Sequence, residues 1–99
     1  MNNALPPMHP GELLAEDLIP ATGLTKTAIA ERLRISRQSL YDILSGRQPV
    51  TANIALRLGR LFGNSPSFWL NLQAAYDVAV LGAEMAGELD RIEPVQAAE

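Results

Sequence analysis

Arg37, Gln38, Tyr41, Asp42 and Ser45 fall at spacings that place them on one face of a helix, with Leu40, Ile43 and Leu44 on the other. These polar types match the exposed edges of a base pair. Glutamine can pair its donor and acceptor with adenine. Arginine can fork onto guanine or clamp a phosphate, and a tyrosine ring can lie against a thymine methyl or reach a phosphate. Tyr41 can instead pack inward, and Asp42 can instead orient Arg37 or repel a polyanion. Around this face, Lys26, Thr27, Ser36, Ser39, Ser45, Arg47 and Thr51 supply cations and hydroxyls suited to a phosphate backbone, as do the N–H groups of a helix opening after Thr51. Arg32 and Arg57 read as plain surface charges.

Charge sorting supports the same chemistry. Seven of the eight basic residues lie between positions 26 and 60, opposed only by Glu31 and Asp42, a local +5 in a chain of net charge −3. Elsewhere Arg91 faces nine carboxylates. A basic segment inside an acidic chain suits a polyanion on one surface and leaves acidic flanks for solvent or a basic partner. Ninety-nine residues make one domain with a modest core, burying roughly 60–70% of the extended surface. There is no cysteine and hence no disulfide or thiolate site. No stretch reaches the ~18 apolar residues of a membrane span, and the first residues lack the pattern of a secretory signal. The expectation is a cytoplasmic chain without membrane contact.

The elements that must hold these residues are all helical. Residues 1–8 read as an extended lead-in, residues 9–86 as the folded domain and residues 87–99, acidic and poor in large apolar groups, as a flexible tail. Pro10 opens a first helix, about Pro10–Ile19, which Pro20 and Gly23 end. Thr25 caps a second, about Lys26–Leu33. Ser36 caps a third, about Arg37–Leu44, with Gly46 as its stop. Thr51 caps a fourth, about Ala52–Phe62, ending at Gly63. Ser65-Pro66 opens a fifth that reaches about Met85.

The second and third helices are short and joined by a tight turn, with Ile29, Ala30, Leu33, Ile35, Leu40 and Ile43 at the spacing that packs a helix-turn-helix, whose second helix enters the major groove. Arg34 occupies the turn position that usually holds glycine. It must take a left-handed conformation, or the turn must differ.

Longer stretches resemble a known family. His9-Pro10-Gly11-Glu12, Ser36-Arg37-Gln38, Ser45-Gly46, Thr51-Ala52, Ala55-Leu56-Arg57-Leu58 and above all the run from Ser65 to Asp77 are similar to the HigA (VapI-like) antitoxins of the XRE-type helix-turn-helix proteins, over about residues 8–80. The resemblance implies an all-α, five-helix, lambda-repressor-like domain. It also implies a homodimer that binds double-stranded operator DNA, represses its own operon and neutralises a HigB-type ribonuclease toxin, with no cofactor.

A single helix-turn-helix reads only a few base pairs, so two copies are expected, and the fifth helix offers Leu72, Tyr76 and Val80 for the contact. Trp69 either joins them or completes the core. Glu12, Glu16 and Asp17 form an acidic stretch that a basic toxin would find attractive, although solvation of the helix start explains them equally. A stand-alone transcriptional regulator shares every DNA-binding feature, and RNA binding lacks its aromatic platform. A metal-dependent enzyme is a remoter reading, resting on His9, Glu12 and Glu16 at one helical face.

Overall fold

The computed structural model describes residues 7–96, which form six helices. The expected lead-in falls largely outside them, as do the last three residues. The first helix, α1, covers residues 10–22 and contains a π turn at Leu14–Leu18 between α-helical ends at Pro10–Leu13 and Ile19–Thr22. It runs past Pro20, where the sequence predicts its end. In the π turn the Ile19 N–H already donates five residues back, to the Leu14 carbonyl. The ladder is therefore displaced before it meets the proline, which stands in the first turn of the resumed helix, where an N–H is not needed. The helix stops at Gly23, whose φ of 72° is the left-handed conformation that glycine takes without strain.

Next come α2 (Lys26–Leu33), α3 (Arg37–Leu44), α4 (Ala52–Phe62), α5 (Pro66–Glu84) and α6 (Ala86–Asp90). Four share one opening device. The hydroxyls of Thr25, Ser36, Thr51 and Ser65 accept the N–H of the residue three positions on, satisfying a donor that the helix cannot. α6 departs from the expected unstructured tail: one short helix follows Met85 before residues 92–96 leave regular structure.

The core gathers Leu14, Ile19, Ile29, Ala30, Leu33, Leu40, Ile43, Val50, Ala55, Leu58 and Trp69, one apolar stripe from each of the first five helices and Val50 from the loop before α4. α1 lies directly on the end of α3. At Gly11 a Cβ would fall inside the contact distance of the Ile43 carbonyl oxygen, so only glycine permits this approach. His9 sits in the same junction. It is 5% exposed, its Nδ1 accepts the Gly11 N–H at 2.9 Å, and its ring meets the Tyr76 ring edge-on at 4.9 Å. On the other side, Gln73 of α5 accepts the Val50 N–H at 2.7 Å and donates to Asp77 at 3.0 Å. This buried amide pins the loop between α3 and α4 to α5.

Candidate nucleic-acid interface

The turn between α2 and α3 fixes how α3 is presented. Arg34 is left-handed, at φ 60° and ψ 43°. The Ile35 N–H reaches back to the Ala30 carbonyl at 3.0 Å and the Arg34 N–H to Glu31 at 3.1 Å, the paired bonds of a Schellman stop. An arginine without glycine's freedom is held there by a second arginine. Arg57 of α4 donates to the Leu33 carbonyl at 2.9 Å and the Arg34 carbonyl at 3.3 Å, while its Nε is steadied by Asn53 at 2.7 Å. Arg57 is thus a cap for the turn and not the plain surface charge its position in sequence suggests.

With the turn fixed, α3 buries Leu40 and Ile43 and leaves Arg37, Gln38 and Tyr41 exposed. Lys26, at the start of α2, brings its ammonium 5.9 Å from the centre of the Tyr41 ring, which keeps Tyr41 outward and places a cation beside it. Asp42 is half-buried and engaged. One of its oxygens accepts from Gln38 Nε2 and from Arg47 Nη2, each at 2.9 Å. It orients these two residues and not Arg37. The Arg47 and Gln38 hydrogen bonds hold the Asp42 carboxyl below its ordinary pKa, so it stays ionised. Arg47 remains 68% exposed at its side chain and can face a phosphate while tethered.

The backbone-facing candidates divide into two groups. Lys26, Thr27 and Arg47 are exposed. The hydroxyls of Ser36, Ser39, Ser45 and Thr51 already have local partners: Ser36 and Ser39 bond one another at 3.0 Å, Ser45 donates to the Asp42 carbonyl at 3.2 Å, and Thr51 accepts the Ile54 N–H at 3.3 Å. Their first task is to hold the ends of α3 and α4.

On α5 the residues expected at a dimer contact differ in exposure. Trp69 is fully buried and donates to Asn64 Oδ1 at 2.7 Å, so it completes the core and is unavailable to a partner. Leu72 and Tyr76 are half-buried because their helix face turns toward the core and His9, and Val80 is half-buried on the same side. The outward apolar stripe is instead Ala74, Val78, Leu81 and Met85, at i, i+4, i+7 and i+11, with Val78 72% exposed and Leu81 51%. Glu12, Glu16 and Asp17 are all exposed on α1. The His9 Nδ1 serves the cap of α1. Among the described residues no group of three histidines, cysteines or carboxylates is placed to hold a metal ion.

The helix-turn-helix domain family matches residues 17–78. Virulence-associated protein I of Dichelobacter nodosus is 41% identical over 76 residues, 77% of this chain and 70% of that protein. Antitoxin HigA-1 of Vibrio cholerae serotype O1 is 35% identical over 72 residues, 73% of this chain and 68% of that protein. The chain belongs to the HigA antitoxin family. A solved structure of the Pseudomonas aeruginosa antitoxin HigA with the higBA promoter superposes with a TM-score of 0.85 at 34% identity, covering 91% of this chain and 99% of that one. In this HigA-type chain, therefore, the helix-turn-helix is the ordinary domain of the family.

Proposed function

We propose that this chain is a DNA-binding antitoxin of the cytoplasm, which binds operator DNA as a homodimer, represses the operon encoding it and neutralises a HigB-type ribonuclease toxin. Its chemistry is recognition and not catalysis. The observation that carries the reading is the exposed Arg37–Gln38–Tyr41 face of α3, held out by a helix-turn-helix turn with Lys26 beside it. A bare α-helix fits the major groove, and a glutamine there can pair with adenine through both amide atoms. Lys26, Thr27 and Arg47 flank that face and serve the phosphates.

A single module contacts few bases, and a two-fold dimer presents two of them about 34–36 Å apart on one side of the duplex. The outward stripe of α5 supplies the dimer contact. Glu12, Glu16 and Asp17 offer the toxin an acidic surface separate from the basic one. In fluorescence anisotropy with DNA from upstream of the coding sequence, Gln38→Ala should cost about 1–3 kcal/mol and relax preference at one base position per half-site. Lys26→Ala and Arg47→Ala should weaken all sequences alike and lower the salt slope by about 1 each. Unchanged operator affinity in Gln38→Ala would remove α3 from the reading set. Glu12→Lys with Glu16→Lys should slow toxin association at low salt and leave operator binding intact.

A further inference from the structure

Away from the α3 face, the C-terminal end of α2 and the outer side of α4 enclose an open groove of about 500 Å³. Arg32, Arg34, Arg57 and Arg60 form its walls, while Leu56, 62% exposed, and Leu61 form its apolar floor. Among the described residues no carboxylate lines it. Four guanidinium groups around leucines repel a basic partner and fit a segment that alternates carboxylates with apolar side chains. Lys26, the phosphate-facing cation of α2, stands at the opposite end of that helix, about 10 Å away at 1.5 Å per residue.

The chain carries such a segment. From Ala86 to Gln96 it presents Glu88, Asp90 and Glu93 against the single cation Arg91, interleaved with Leu89, Ile92 and Val95, the last 95% exposed. Every residue from Ala83 to Gln96 is exposed, so this segment is not buried against its own domain. We propose that the groove receives the 86–96 segment of a second copy, exchanged reciprocally across the two-fold axis. The inference rests on the α5 dimer described above.

Pairing the stripe centred near Val78 and Leu81 antiparallel with its copy sets Met85 of one protomer beside Ala74 of the other. The five residues of α6 and five extended ones then span about 24 Å. Ala74 lies about 12 Å from the Pro66 end of α5, and the loop 63–65 joins that end to Leu61 and Arg60. The segment is long enough to pass the loop and reach the groove. Helix pairing supplies the register, and the exchanged segment supplies charge complementarity on both sides.

The absence of cysteine allows a direct test on the full-length chain. Leu56→Cys combined with Ile92→Cys should form a disulfide-linked dimer on mild oxidation, whereas either single variant should give far less. In sedimentation equilibrium, Arg32→Glu with Arg60→Glu should raise the dimer Kd about tenfold or more. Glu88→Arg with Glu93→Arg should do the same, and combining the four changes should restore much of the loss. A wild type that is monomeric at micromolar concentration would overturn the dimer and, with it, the exchange. A dimer of undiminished affinity in both charge-reversed variants, with no interchain crosslink, would overturn the exchange alone and leave the groove to an acidic partner protein. A crosslink formed within one chain would equally overturn it.

Discussion

Asp42→Ala separates two things that one carboxylate does on α3. Its oxygen accepts from Gln38 Nε2 and Arg47 Nη2 at 2.9 Å, which fixes which amide atom of Gln38 points outward and holds Arg47 close. It also sets a negative charge among groups meant for DNA. Removing it frees Arg47 and deletes a repulsion, an effect that every sequence feels and that steepens the salt dependence by up to about 1. It also frees the Gln38 side chain, which must then be ordered on binding at about 0.5–1.5 kcal/mol, an expense met only on a site where Gln38 pairs. Since 1.4 kcal/mol is tenfold, the ratio of operator to random-sequence affinity should fall about 2- to 12-fold per half-site, and by the square of that for a dimer. Absolute operator affinity should move little, because the two effects oppose. Asp42→Asn keeps an acceptor for Gln38 without the charge, and should raise both affinities while retaining the ratio. Anisotropy titrations on operator and scrambled duplexes at two salt concentrations give all four quantities. If Asp42→Ala leaves the ratio at the wild-type value, or if Asn and Ala lower it equally, Asp42 does not orient Gln38 for reading.

Other expectations concern the scaffold that presents this face. Gly11→Ala should force α1 off the Ile43 carbonyl and cost about 2–4 kcal/mol, seen as a lower urea midpoint, whereas an unchanged midpoint would mean the contact is slack. Arg57→Ala should destabilise by about 1–3 kcal/mol by uncapping α2, and Arg34→Gly should recover part of it by removing the strain of a left-handed arginine; a double mutant no better than Arg57→Ala would contradict that. Burial holds the His9 pKa below its ordinary 6.5 against the opposing pull of Asp77 and Glu12. The folded state therefore binds fewer protons than the unfolded one in the window below pH 6.5. The contribution is complete above that pH and lost as pH falls toward the depressed value. His9→Asn, which keeps a cap acceptor, should flatten this part of a stability–pH profile. A wild-type profile already flat there would refute the account. Val78→Glu with Leu81→Glu should yield helical monomers in sedimentation, since each would set a charge in the dimer seam, and a persisting dimer would move the interface elsewhere.

The parts of this architecture that the sequence made legible are those governed by local rules. Ile29, Ala30, Leu33, Leu40 and Ile43 repeat at helical spacing and are buried, and Thr25, Ser36, Thr51 and Ser65 cap the helices they precede, because both effects act within a turn or two of chain. The exposed face of α3 follows by subtraction once its apolar side is known. What escaped depends on partners far apart in sequence. Arg57 reaches the Leu33 carbonyl across 24 positions and Gln73 reaches Val50 across 23, so neither a basic residue nor a glutamine on a helix announces its role. The same limit explains α5. It is apolar nearly all round, so spacing alone offers two candidate faces, and the residues that choose between them are His9 and Val50, contributed by loops. Tyr76 on His9 and Gln73 on Val50 turn the face containing Leu72 inward and push Val78, Leu81 and Met85 out. The proposed dimer seam and the proposed DNA-reading face are consequently linked through one buried glutamine. Gln73 joins α5 to the loop that follows α3, so in the proposed dimer the spacing between the two α3 helices depends on this buried amide.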